Sequence, residues 1–270
     1  MEPLISQQAL SLLRGAYFGT LIGAFAFFLL WEGGAPRIAF ANSGERRTHL
    51  LRNFAMLALV ILIADIFVGY GLLGTAQRLD VETTNGLSAL GLGWPALLLA
   101  GVLILDLFNY WWHRACHAVP WLWRLHRVHH SDTHLDATTG ARFHVLETSL
   151  AIVLLIGFMT LAGIPLWIEL VRTVIVNPLV LTQHANVTFP ARLDRAFRPV
   201  LVTPALHRVH HSLLRAEHDR NYGQIFSIWD RLFGTYSSPP AASLAVGVAG
   251  LDGEAWQTVA GMCATPFRRA

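Results

Sequence analysis

The sequence predicts an all-α, multi-pass membrane helical bundle with a cytosolic, histidine-rich helical cap. Three observations carry that reading. Several apolar runs are long enough to cross a bilayer, only 14% of residues are charged against 54% hydrophobic, and the heptapeptide Leu-His-Arg-Val-His-His-Ser occurs twice, at residues 125–131 and 206–212. A mean hydropathy of +0.46 over 270 residues leaves too little polar surface for an ordinary soluble domain.

The spans come first. Residues 9–31, 54–74 and 92–112 are each long enough for a hydrocarbon core of about 30 Å, which takes about 20 helical residues. The first run has no basic segment before it and no convincing cleavage site, so it is expected to be a retained span rather than a signal peptide. The apolar tract 146–181 is long enough for two helices, with Gly163-Ile164-Pro165 as the natural bend. Glu169 and Arg172 stand at i, i+3 inside it, and two readings stay open: an internal salt bridge, or a role along a substrate channel.

Orientation is read from arginine, since the chain has no lysine. Arg37, Arg46, Arg47 and Arg52 lie between the first two spans and only Arg78 in the next connection, so the positive-inside rule puts the first connection and the end of the third span in the cytoplasm. Arg14, near the start of the first span, fits least well. The lysine-free composition points to a GC-rich bacterial genome and an inner membrane. A net charge of +3 and a pI near 9.2, spread over membrane-flanking loops, suit anionic lipid headgroups and argue against a nucleic-acid partner. Cys116 and Cys263 make no disulfide framework, and Cys116 is expected to be a small packing residue beside the histidines.

Twelve of the thirteen histidines fall between His113 and His218. His126, His129 and His130 take positions i, i+3 and i+4 of a helix, as do His207, His210 and His211, so each copy of the repeat is expected to present three imidazoles on one face. Thr203-Pro204 has the form of an N-cap followed by proline at the first helical position, which supports a helix at the second copy. His113 and His117 add an i, i+4 pair at the end of the third span, Asp106 lies two turns deeper on nearly the same face, and Pro120 ends that helix. Scattered histidines are ordinarily surface or core residues. This concentration points instead to metal, for which imidazole is the commonest protein ligand. His184 and His144, between the repeats, can join the site if the apolar hairpin returns the chain to the membrane surface.

The arrangement His113-x-x-x-His117, His126-x-x-His129-His130 and His207-x-x-His210-His211 resembles the fatty acid hydroxylase and sterol desaturase superfamily of integral-membrane oxygenases. Further matches are Arg142-Phe143-His144 with Glu147, Gln183-His184-Ala185-Asn186, Asn221-Tyr222-Gly223 and the stretch from Trp229 to Tyr236. The resemblance implies a division into an N-terminal two-span region at 1–91, a catalytic domain at 92–236 and a cytosolic tail at 237–270. It also implies a pair of iron ions held by His113, His117, His126, His129, His130, His184, His207, His210 and His211, with zinc as an occupant of purified protein. His144, Asp106 and Asn186 are then candidates for a further ligand, or for the group that holds a ligand's other N–H. His134 and His218 lie outside the core spacings and are expected beyond the ligand set or at the surface. No catalytic side chain beyond the ligands is assigned.

By the same resemblance, the reaction is hydroxylation or desaturation of a C–H bond of a lipid drawn from the bilayer, using dioxygen. Nothing in the sequence selects the lipid or sets the oligomeric state. There is no Gly-x-Gly-x-x-Gly fingerprint and no Cys-x-x-Cys pair, so the electrons are expected from a separate ferredoxin or cytochrome with its reductase. Two rival functions fit the pattern less well. A metal transporter or store would place its ligands near mid-bilayer, whereas these sit at span ends. A zinc hydrolase would carry a His-Glu-x-x-His base, which is absent from the sequence.

Overall fold

The structure, a computed structural model, describes residues 7–64, 85–238 and 244–268. The chain is an all-α multi-pass membrane protein. Among the described residues there are three isolated β-bridges and no strand, and five helices are long and apolar enough to span a bilayer. In chain order the main helices are α1 (Gln7–Gly34), α2 (Ser43–Leu59), α3 (Trp94–Ala118), α4 (Pro120–His130), α5 (Val145–Ala162), α6 (Leu166–His184), α7 (Ala191–Phe197) and α8 (Pro204–His210). The expected second span begins earlier than its apolar run: the helix starts at Ser43, capped by Asn42 accepting from the Glu45 amide, and continues to Ala64. Its first turns are polar and enter the cap, where Asn53 donates to Asp132 and Thr138. Residues 65–74 of that run, Arg78 and the Arg14 side chain lie outside the described residues.

The spans are held by packing rather than by expulsion of water, because lipid tails are as apolar as the side chains. α3, α5 and α6 meet over Leu97, Leu105, Met159, Ile164, Trp167 and Ile168. Gly101 permits the closest approach, since a Cβ there would stand 2.8 Å from two carbons of Ile168. Between α5 and α6 the expected bend is made by Gly163 in the left-handed region (φ 62°) with Pro165 as the cap of α6. α1 lies along α6 through Phe25, Phe28 and Leu181.

Beyond the spans, α3 ends at Ala118 and α4 restarts with Pro120 at its first turn, so the two helices meet at a corner. Thr203 accepts from the Leu206 amide and Pro204 opens α8, as the sequence predicts. Within the expected tail, whose described residues are 237–238 and 244–268, the stretch 254–268 packs on α4, where Arg127 Nη2 donates to the carbonyls of Thr265 (2.6 Å) and Arg268 (2.8 Å). The lack of long periodicity there hid this packing from the sequence.

A valine at Gly101 overpacks the α3–α6 contact and is expected to cost about 1–3 kcal/mol. Thermal unfolding in detergent should show Gly101→Val melting below wild type, with Ile168→Ala in the same chain restoring part of the loss.

Candidate metal centre

The nine histidines converge where α3, α4, α6 and α8 meet, and they form two groups. His113, His117, His126, His130 and His210 make one, and His129, His184, His207 and His211 the other, with donor atoms in each lying within 4.8 Å of one another. The sequence places the three histidines of each repeat on one face, but the structure splits them. The i, i+4 members, His126 with His130 and His207 with His211, stay together, while the i+3 members, His129 and His210, cross to the opposite group. The groups touch: the rings of His130 and His211 stack at 4.5 Å.

Hydrogen bonds to oxygen set the tautomers in the five-histidine group. The Nδ1–H of His113 donates to the Tyr222 carbonyl (2.9 Å), that of His117 to Asp219 (3.2 Å), that of His126 to Glu147 (2.6 Å) and that of His210 to the Arg220 carbonyl (2.8 Å). With Nδ1–H engaged in this way, each ring turns its Nε2 inward. The Nε2 atoms of His113 and His126 face each other at 3.1 Å. Two lone pairs at that distance repel unless a cation lies against both. His117 Nε2, His210 Nε2 and both nitrogens of His130 are buried without a partner among the described residues. In the four-histidine group His184 donates to the Val180 carbonyl (2.8 Å), and its Nε2 meets those of His129 (3.2 Å) and His207 (2.9 Å). The donor set fits a metal in each group, and imidazole suits iron as well as zinc and copper.

Burial first, and the neighbouring imidazoles after it, hold His129, His130, His207, His210 and His211 well below the usual histidine range. They are therefore neutral at physiological pH, the form that ligates.

Several expected partners lie elsewhere. His144 joins neither group: Nδ1 accepts from the Leu146 amide at the start of α5 and Nε2 donates to the Cys263 carbonyl, which uses both ring nitrogens. Asp106 holds no histidine. It accepts from the amides of Ile225 (3.0 Å) and Phe226 (3.1 Å) and from the Trp229 indole (2.8 Å), which fixes the loop behind His113. Asn186 exchanges two hydrogen bonds with the backbone of Ile38 and so ties the connection after α1 to the end of α6. Glu169 grips Arg172 through both oxygens (2.6 and 2.7 Å), which is the internal salt bridge. Neither residue lines the cavity beside the histidines.

His218 stacks on Trp123 at 5.2 Å and lies within reach of His117 and Asp219, while His134 stacks on Phe40 at 4.3 Å. Cys116 is a buried free thiol beside His126 and Glu147. The residues that sequence reasoning missed as functional are Glu147 and Asp219, whose acceptor roles depend on tertiary approach. Only the motif around Glu147 drew notice to it.

A cavity of about 240 Å³ opens under the histidines between α3, α5 and α6, and His113, His126, His129, His184 and His207 form one wall.

A family model described as fatty acid hydroxylase matches residues 98–235. Ornithine lipid hydroxylase OlsE of Rhizobium tropici is 35% identical over 179 residues, covering 65% of this chain and 52% of that protein. Human alkylglycerol monooxygenase is 29% identical over 145 residues, 53% of this chain and 31% of that protein. Rat lathosterol oxidase is 27% identical over 150 residues, 54% and 48% respectively. The match thus spans about half or less of each relative's length. No solved structure matches.

Two outcomes are expected from this geometry. Replacing Glu147 by Leu strips the acceptor from His126 Nδ1–H and should weaken metal binding about 10–100-fold in a chelator competition. His144→Ala should leave that affinity unchanged. Metal-free protein should lose stability as pH falls below about 6.5, because the unfolded chain then takes up protons that the buried imidazoles refuse. Melting temperatures at pH 7.5 and pH 5 should differ accordingly, and equal values would overturn the assignment of neutral imidazoles.

Proposed function

The chain belongs to the fatty acid hydroxylase family, and from that premise we propose that it is a membrane-bound, dioxygen-dependent di-iron oxygenase that hydroxylates or desaturates a C–H bond of a lipid. The observation that carries the proposal is the junction of two histidine groups with the cavity: inward-facing nitrogens on one side, and space for a substrate segment on the other. The names of the relatives, which include an ornithine lipid hydroxylase and an alkylglycerol monooxygenase, support a lipid substrate.

Iron in the two groups would supply reductive activation of dioxygen and an oxidant able to take hydrogen from an unactivated C–H bond. The protein's own part is positional. Glu147, Asp219 and the carbonyls of Tyr222 and Arg220 hold the ligating tautomers. α4 and α8 each contribute to both groups, so helix geometry would set the distance between ions held in them. The cavity admits substrate from the side of the spans, and burial of the imidazoles excludes bulk water from the reacting end. Two electrons come from a separate ferredoxin or cytochrome system, which approaches the histidine cap on the cytoplasmic face. With two electrons and two protons, dioxygen and the lipid C–H give the alcohol and water.

Chain purified in detergent and loaded with ferrous iron should consume dioxygen when given lipid extract and a reduced donor, whereas the zinc-loaded chain should not. No lipid-dependent consumption by iron-loaded protein would sink the proposal. Metal content should respond unequally to substitution: His129→Ala leaves three histidines in its group and should empty it, while His210→Ala leaves four and should retain weakened binding.

A further inference from the structure

The oxygenase reading leaves the substrate class open, and the cavity wall narrows it. At about 240 Å³ the cavity falls below the roughly 300–1,000 Å³ of sites that enclose a drug-sized ligand, so it takes one segment of a lipid and leaves the rest in the bilayer. The end beside the histidines is polar. Asn109 of α3, Thr148 of α5, Gln183 of α6 and Gln224 of the loop that follows Tyr222 all line it.

The direction in which each group points its hydrogen-bonding capacity follows from its other contacts. Asn109 Nδ2 donates to the Leu105 carbonyl (2.9 Å), which leaves Oδ1 as an acceptor. Gln183 Nε2 donates to the carbonyls of Val202 (3.3 Å) and Gln224 (2.7 Å), which leaves Oε1 as a second acceptor. Gln224 Oε1 is taken by Arg172 Nη1 (2.9 Å), so its Nε2 is left to donate. The Glu169 salt bridge locks that arginine, which makes the orientation of Gln224 rigid. The Thr148 hydroxyl serves in either direction. None of these four free ends has a partner among the described residues, and none is sealed inside protein.

Two acceptors, one donor and one hydroxyl match a ligand group that both donates and accepts. We propose that the lipid segment admitted carries a secondary amide or a hydroxyl beside the C–H bond that is oxidised, so that reaction falls near the headgroup linkage rather than along an acyl chain. A plain methylene segment would leave all four groups unpaired, and an ester or ether offers no proton to Asn109 or Gln183. The proposal rests on the oxygenase reading for the reaction, but the recognition itself is a binding property.

The test uses full-length protein loaded with zinc, which binds without turnover, and two matched probes, N-dodecylacetamide and dodecyl acetate, which differ only in N–H against O. Wild type should bind the amide about tenfold more tightly, the equivalent of one net hydrogen bond. Thr148→Val and Gln183→Met should each bring the two affinities toward parity. Equal binding by wild type, or a preference untouched in both variants, overturns the proposal. Iron-loaded protein supplied with a reduced donor should oxidise N-dodecylacetamide at carbons next to the amide. Oxidation at the far end of the chain overturns the proposal while leaving the oxygenase reading intact. An amide preference without any oxidation supports the binding site and counts against the oxygenase reading alone.

Discussion

Imidazole nitrogens buried against one another are the constraint on which the rest of this structure turns. Seven ring nitrogens of the histidine groups are enclosed without a hydrogen-bond partner among the described residues, and at about 1–3 kcal/mol for each such group the deficit is roughly 7–20 kcal/mol. That equals or exceeds the whole stability of a typical domain, about 5–15 kcal/mol. A cation in each group would take up Nε2 of His117 and His210 and one nitrogen of His130, and would end the repulsion between the Nε2 atoms that face one another in the smaller group, while Nδ1 of His129, His207 and His211 keeps no acceptor among the described residues. The fold around the site is therefore arranged less to hide the histidines than to aim them.

The aiming is uneven. Among the described residues, four of the five rings in the larger group are held through Nδ1 by an oxygen, two of them carboxylate oxygens, whereas only His184 in the smaller group is held by a protein oxygen. The carboxylates of Glu147 and Asp219 add negative charge next to their imidazoles, which raises ligand basicity. The smaller group relies on the rigidity of α8 and the end of α6, and on Phe143, whose ring stacks on His129 at 4.5 Å.

Spans, the corner at Pro120, the N-cap at Thr203 and the three-histidine spacing of each repeat are legible in the sequence, since each depends on local pattern, whereas the inclusion of His184 with them is what the family resemblance implies. The division of the histidines is not legible there. At about 100° per residue, positions i and i+4 differ by about 40° around a helix while i+3 falls about 60° to the other side of i. The same spacing therefore serves one shared face or two divided ones. Only the placement of α4 against α8 decides. Asp106 misled for a related reason: a carboxylate below two histidines on one helix face looks like their partner, yet two open backbone amides and an indole N–H from a segment more than a hundred residues later reach it instead. His144 stands next to a helix start, and its cap to the Leu146 amide competes with any role as a ligand.

The loop at residues 221–230 joins the metal groups to the cavity. Asn221 takes a left-handed conformation (φ 54°), tolerated by a short amide side chain, and that side chain binds the carbonyls of Leu206 and Ser237. Asp230 accepts from the amides of Tyr222 (2.7 Å) and Gly223 (2.9 Å), while Asp106 holds the next two amides but one. Between these anchors the Tyr222 carbonyl orients His113, and Gly223 and Gln224 form part of the cavity wall. A Cβ at Gly223 would stand 2.5 Å from the Phe226 carbonyl and 2.9 Å from Asp230, so the turn leaves no room for any other residue. The orientation of the His113 ring and part of the cavity wall are thus set by one short length of backbone, fixed by two buried aspartates. Where a misplacement of about 1 Å costs on the order of a hundredfold in rate, coupling both to the same backbone would keep the attacked bond of the proposed reaction in register with the metal.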